Sequence, residues 1–121
     1  MFLALLAAVL LSSSPESAAD TAPMPCDASL QVCPVIDPKT GQPRVYPADV
    51  TRFQEDIETC IHFAGEEPYD ADRRRQIEAA FRKHCDGAKA RLPGLRKKYA
   101  ADPVNLERIE AIQAFRVGAG L

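Results

Sequence analysis

The densest group of chemically active side chains in this sequence lies in residues 60–70, CIHFAGEEPYD. Histidine beside a carboxylate is the usual pairing for proton transfer, so His62 with Glu66 or Glu67 is a candidate acid/base group. No candidate nucleophile or phosphate-binding glycine loop accompanies these residues. We therefore interpret the segment mainly as the end of a helix followed by an acidic connector, and keep the three side chains as candidates for an enzymatic alternative.

Two cysteines have a histidine nearby, in the patterns Cys60-x-His62 and His84-Cys85. Two thiolates and two imidazoles would suit tetrahedral zinc. On a helix, however, residues two apart point about 200° apart and adjacent residues about 100° apart, so neither pair converges on one ion. We therefore predict no metal site and no cofactor.

The chain has an even number of cysteines, which in a small exported protein favours disulfide bonds. They are Cys26, Cys33, Cys60 and Cys85. A tight helical hairpin would leave Cys85 roughly 15 Å from Cys60, but residues 66–70 contain a proline and can run extended at roughly 3.3 Å per residue. An extended connector would let the next helix return Cys85 to Cys60, so we favour Cys60–Cys85 with Cys26–Cys33 over the two other connectivities, which stay open.

The elements that must position these residues are helical from Ala48 onward, because apolar residues recur at steps of three and four. The first helix is expected to be capped by Asp49 or Thr51 and to end at Gly65. The second begins after Asp70 or Asp72 and stops at Gly87. The expected buried residues are Val50, Phe53, Ile57, Cys60 or Ile61, Ala64, Ile77, Ala80, Phe81 and Cys85 or His84.

Two further helical segments follow. Pro93 is expected to start a short one that carries Leu92, Leu95 and Tyr99, and Asp102-Pro103 is a strong start signal for the last, which should end at Gly118. Its expected buried residues are Val104, Leu106, Ile109, Ile112 and Phe115. The predicted fold is all-α, with three to four short helices behind a Pro-rich irregular N-terminal arm, stabilised by disulfides.

The residues before Ala48 divide into two parts. Residues 1–19 carry an unbroken apolar run followed by small residues, which predicts a signal peptide cleaved after Ala19 and too short to span a bilayer. Residues 20–47 form the Pro-rich arm, in which Asp37-Pro38 and Gly41 supply turn chemistry for a short two-stranded ribbon. Residues 48–121 are the predicted helical domain, and the mature chain is expected to be periplasmic or secreted without a membrane span.

Charge is segregated within the helical part. Residues 49–72 hold eight acidic residues and one basic residue, whereas residues 73–98 hold ten basic and two acidic residues. We expect the two segments to pack together and neutralise each other, with two exposed charged poles as the alternative. An exported chain of net charge −2 without aromatic side chains among its basic residues is not expected to bind nucleic acid. Another envelope protein or an anionic envelope polymer is the expected partner.

The pattern Cys60-x-His62-Phe63-x-Gly65-Glu66-Glu67-x-Tyr69-Asp70, followed by Arg73, Ile77 and Cys85, resembles a group of small uncharacterised exported proteins of Gram-negative bacteria. The resemblance covers about residues 60–85. It implies a signal-peptide-bearing helical domain in which Cys60 and Cys85 belong together, and it implies no activity.

Taken together, these features favour an exported, disulfide-stabilised binding or interaction module, one that binds or inhibits another envelope protein. The alternatives are a small periplasmic enzyme that uses His62 with Glu66 or Glu67, and a structural component of the envelope. A binding function is favoured over an enzymatic one.

Overall fold

The computed structural model describes residues 33–121, so the predicted signal peptide and Cys26 lie outside the described part. The helices are α1 (Ala48–Ala64), α2 (Ala71–Ala80), a π-helical segment (Phe81–Asp86), α3 (Gly87–Lys98) and α4 (Pro103–Gly118). Because α2, the π segment and α3 follow one another without a break, residues 33–121 contain three helical rods, which confirms the all-α prediction. Within residues 33–121, no helix is both long enough and apolar enough to cross a bilayer.

The first helix lies at the centre of the molecule and contacts each of the other helical segments. Val50, Phe53 and Ile57 recur at steps of three and four, and all three are almost fully buried. Burying a large apolar side chain contributes roughly 1.5–3 kcal/mol, so this face of α1 supplies much of the stabilisation.

The partners of that face come from α3 and α4. Ala88, Leu92, Leu95 and Tyr99 form one wall of the core, and Ile109 with Ile112 forms the other. The last helix departs from its predicted pattern, because Val104 in its first turn is 43% exposed and Leu106 and Phe115 are only half-buried. The buried residue on that face is instead Arg108.

The predicted boundary between the second and third helices is wrong. Gly87 adopts ordinary helical dihedral angles, and Pro93 lies inside α3 rather than at its start. A glycine inside a helix costs only about 1 kcal/mol and a proline about 3 kcal/mol, which the burial of Ala88, Leu92 and Leu95 can offset. Tertiary packing therefore overrides both local stop signals.

The helix starts agree with the prediction at two of three places. Asp70 and Asp102 accept hydrogen bonds from the main-chain N–H groups of Arg73 and Asn105, as N-cap residues do. The first helix instead has Pro47 at the N-cap position, with no side-chain cap. The capping prediction for Asp49 and Thr51 is therefore wrong.

Asp49 joins the start of α1 to the end of α3. Its carboxylate accepts hydrogen bonds from the Tyr99 hydroxyl (2.7 Å) and the Lys98 ammonium (2.6 Å). These bonds lower the pKa of Asp49, the one from Lys98 most, because they stabilise the charged carboxylate. A side chain expected to cap its own helix thus forms a tertiary contact.

The arm before α1 folds back on itself between Val35 and Arg44. The N–H of Arg44 donates to the carbonyl of Val35 (2.8 Å), and the N–H of Asp37 donates to that of Gln42 (2.9 Å). Gly41 has a φ of +68°, the left-handed region that glycine occupies at little cost. Among the described residues the expected ribbon is limited to one antiparallel bridge, between Ile36 and Pro43.

The disulfide between Cys60 and Cys85 fastens the π segment to α1, with the two Cα atoms 5.1 Å apart. Residues 66–70 between the first two helices contain no helix. Cys33 is also disulfide-bonded. Its predicted partner, Cys26, lies outside the described residues.

Replacing Cys60 and Cys85 together by alanine is expected to lower the free energy of unfolding by about 3–4 kcal/mol, because the bond closes a 25-residue loop in the unfolded chain. Urea denaturation of the double variant measures this. The double variant is preferable to chemical reduction, which would also cleave the bond at Cys33. An unchanged free energy of unfolding would show that the cross-link contributes nothing to stability.

Candidate functional site

The three candidate catalytic residues do not form one enclosed group. The imidazole Nε2 of His62 lies 3.0 Å from a carboxylate oxygen of Glu66, but the His62 side chain is 69% exposed. Glu67 is exposed on the connector. The His62–Glu66 pair is therefore a contact at the surface, and a catalytic role for it stays a prediction.

Glu66 has a second partner that accounts for its position. The Arg73 guanidinium Nε donates to it at 3.0 Å, and the same guanidinium lies 5.7 Å from the centre of the Phe63 ring. The hydrogen bond that Arg73 donates to Glu66 raises the pKa of Arg73. This contact ties the end of α1 and the connector to the first turn of α2, so Glu66 acts in positioning the connector.

The two cysteines of the zinc alternative are bonded to each other, so they offer no thiolates to a metal. Within the described residues, no group of three His, Cys, Asp or Glu side chains is arranged to hold an ion. His84 points to Asp56 of α1, with its Nδ1 atom 2.7 Å from the carboxylate. The two histidines thus have separate partners.

Opposite charges from α1 and the second rod do meet across the interface. Asp56 pairs with Arg91, and Asp49 pairs with Lys98. Arg96 instead forms a double hydrogen bond to Glu110 of α4. The predicted neutralisation therefore operates at several contacts, while Arg52 and Lys83 remain exposed without a carboxylate partner among the described residues.

A groove of about 450 Å³ lies between the arm, α1 and α4, open to solvent on one side. Its lining combines a proline, an aliphatic side chain, an aromatic ring and polar groups of both charges. These residues are Pro34, Arg44, Val45, Tyr46, Thr51, Gln54, Glu58 and Arg108. Five of these eight residues are polar or charged and three are apolar or aromatic, so the groove is a mixed surface.

Arg108 forms the base of this groove and is only 5% exposed. Its terminal nitrogens donate to the carbonyl of Cys33 (3.0 Å) and the side-chain oxygen of Gln54 (2.7 Å), and the guanidinium lies 5.1 Å from the centre of the Tyr46 ring. The buried Nε has no hydrogen-bond partner. All these contacts are with neutral groups, so among the described residues this buried cation has no carboxylate partner.

The rim of the groove is apolar. Val45 is 93% exposed, and Val35 and Val104 are about two-fifths exposed. Val35 and Val104 line a smaller adjoining cavity of about 90 Å³ that shares Arg44, Tyr46 and Arg108 with the groove. Exposed aliphatic side chains around a buried cation are the features expected of a protein-binding surface.

Sequence reasoning missed this site because its residues come from three distant parts of the chain. Arg108 lies between Leu106 and Ile109 in the apolar pattern of α4. A cation on the buried side of this helix was the sequence signal that could have indicated the site. Neither Val45 nor Tyr46 has a local pattern that indicates binding. The pairing of Asp56 with His84 was missed for the same reason.

Replacing Arg108 by methionine is expected to lower the free energy of unfolding by about 1–3 kcal/mol, since the carbonyl of Cys33 and the amide of Gln54 each lose a donor. Urea denaturation measures the change. Arg116→Met is the matched control, because Arg116 donates only to Gln113 on its own helix, and it should change stability by less than about 0.5 kcal/mol. Equal effects of the two substitutions would contradict the structural role given to Arg108.

Comparison with protein-family models, with curated proteins and with solved structures finds no match to this chain. The function must therefore be argued from the geometry of the described residues.

Proposed function

We propose that the protein is an exported, disulfide-stabilised interaction module that binds another envelope protein in the groove between the arm, α1 and α4. The observation that carries the proposal is Arg108, a cation that is 5% exposed, has no carboxylate partner among the described residues and lines the groove. The partner segment is extended and presents a carboxylate next to an apolar side chain.

Charge complementarity supports the carboxylate. A buried cation is costly unless it is paired, and its attraction for an anion is strengthened by the low polarity around it. Arg44 at the groove edge is only loosely engaged, with its Nε 3.9 Å from Asp37. A carboxylate entering the groove would therefore gain from two guanidinium groups.

Apolar complementarity supports the neighbouring side chain of the partner. Val45 contributes almost its whole side-chain surface to solvent in the free protein, and Tyr46 is held by its stacking against Arg108. Covering apolar surface contributes roughly 25 cal/mol per Å², and a fixed aromatic ring loses little freedom on binding. The high exposure of Val45 at the edge of the groove makes it the expected anchor.

The predicted export and the disulfide bonds are consistent with this function. Disulfide bonds persist in oxidising compartments such as the periplasm, and the N-terminal sequence predicts export. Helices fixed by a cross-link hold a binding surface in one conformation and reduce the entropy lost on binding. The resemblance in residues 60–85 supports the same compartment without indicating a partner.

Val45→Asp is expected to abolish capture of the partner from a periplasmic extract, because it places a negative charge where the apolar anchor and the incoming carboxylate lie. Val117→Asp is the matched control, since Val117 is a 58% exposed valine at the far end of α4 that does not line the groove. Capture is measured by mass spectrometry at about 0.05 M salt and again at about 0.5 M.

The wild-type chain and the Val117 variant should retain one protein that the Val45 variant does not, and retention should weaken at the higher salt concentration because charge pairs contribute to binding. Circular dichroism of all three proteins shows whether each is folded. Retention of the same proteins by both variants, or of none by the wild type at low salt, would contradict the proposal.

A further inference from the structure

A second cavity adjoins α1 on a different face from the groove, beside His84. Its volume is about 480 Å³ and it opens to solvent. The lining residues come from α1 and the π segment: Ala48, Arg52, Glu55, Asp56, Thr59, Lys83 and His84. The two linings adjoin on α1, where Glu55 lies about one turn from Thr51 and from Glu58, but they share no residue. The two cavities are therefore separate.

His84 is held in one orientation by its neighbours. Its Nδ1 atom lies 2.7 Å from one carboxylate oxygen of Asp56, and Arg91 of α3 donates to the other. Asp56 is buried at 9% exposure. Since the ionised carboxylate accepts, Nδ1 carries a proton, and Nε2 is the ring atom left to bind or lose a proton. Among the described residues, the hydrogen bond to Asp56 is the one that the His84 side chain makes.

The π segment accounts for this placement. Asp56 and Cys60 lie one turn apart on α1, while their partners His84 and Cys85 are adjacent in sequence. The wider π turn, with its i to i+5 hydrogen bonds, turns less per residue than an α-helix, which lets adjacent side chains reach the same neighbouring helix. Such segments occur frequently at functional sites.

The charge balance in this cavity is positive. Arg91 balances the charge of Asp56, which leaves two exposed cations, Arg52 and Lys83, against one exposed carboxylate, Glu55. Burial lowers the pKa of His84, and the nearby charges of Lys83 and Arg52 lower it further, which favours the neutral imidazole. The negative charge of Asp56 favours the protonated imidazole instead, but Asp56 also pairs with Arg91.

We propose that this cavity binds a doubly charged oxyanion of the phosphate class, with Arg52 and Lys83 as its cationic contacts, and that His84 takes up a proton at Nε2 as the anion binds. The anion offsets the repulsion among the three basic groups. The protonated imidazole then donates a hydrogen bond to the anion, while Asp56 stabilises the imidazolium through Nδ1. The negative charge of Glu55 repels the anion and limits the affinity of the cavity for it.

Binding of the anion and protonation of His84 favour each other. An anion that favours the protonated imidazole raises the pKa of His84, and by linkage the anion binds more tightly as the pH falls. A rise of one unit in the pKa corresponds to a tenfold tighter interaction with the protonated form. Without the anion, lowering the pH destabilises the fold, because the unfolded chain takes up a proton on this histidine at higher pH than the folded chain does.

The experiment is an NMR titration of the two histidine side chains between about pH 4.5 and pH 8.5, at constant ionic strength, with sodium chloride or with sodium sulfate. Sulfate keeps its double charge over this range, whereas phosphate gains a proton near pH 6–7. We expect sulfate to raise the pKa of His84 by about 0.5–1 unit, which is a coupling of about threefold to tenfold. His62 is the internal reference, because it is paired with Glu66 outside the cavity, and it should not respond.

Three exposed side chains supply variants that leave the core intact. Arg52→Gln and Lys83→Gln should each reduce the effect of sulfate on His84 by at least half, and Glu55→Gln should increase the affinity for sulfate about twofold to fivefold, since it removes the opposing charge. Lys89→Gln, an exposed lysine of α3 outside the cavity lining, is the matched control and should leave the effect unchanged. An unchanged His84 titration in sulfate, or an equal response of His62, would overturn the proposal.

Two further probes identify the source of the oxyanion. Inorganic phosphate and glycerol phosphate at pH 7.5, where both are mainly doubly charged, are compared by chemical-shift perturbation of the amides of residues 52–59 and 82–85. Equal affinities assign the site to the phosphate group alone, and tighter binding of the ester assigns it to a phosphate carried on a larger molecule. Perturbations located elsewhere on the protein, or binding of acetate as tight as that of phosphate, would contradict the class of ligand proposed.

Discussion

The packing of one face of α1 against α3 and α4 is the constraint on which the rest of the structure depends. Phe53 and Ile57 have no exposed surface, and the walls that cover them come from residues more than thirty positions later in the chain. Because that face is buried in the core, polar side chains occupy the other faces of α1. Those faces line both cavities, so the core position of α1 determines where each candidate site lies.

Helix α1 also acts as the attachment point for the second rod. Cys60 holds Cys85 covalently, Asp56 holds His84 and Arg91, and Asp49 holds Lys98 and Tyr99. These contacts lie one to two turns apart along α1 and follow the rod from its π segment to its end. They explain why the chain stays helical through Gly87 and Pro93, because leaving the helix there would break contacts on both sides.

The two proposed sites depend on different physical properties of the same scaffold. The groove has an apolar rim and a buried guanidinium surrounded by neutral groups, which favours a protein segment that carries both a carboxylate and an apolar side chain. The cavity beside His84 has exposed cations and a titratable imidazole, which favours a small anion.

The sequence by itself determined the helical class, the start of α4 at Asp102 and the core face of α1, and it narrowed the start of α2 to Asp70 or Asp72, because hydrophobic periodicity and capping chemistry are local properties. The extended connector also made the Cys60–Cys85 bond predictable. Only the tertiary structure decided that Gly87 and Pro93 lie within one rod, that Asp49 serves a tertiary contact rather than a cap, and that Arg108 and His84 are the notable polar groups. The physical reason is that each of these depends on the desolvation and charge of residues distant in sequence, which a local pattern does not contain.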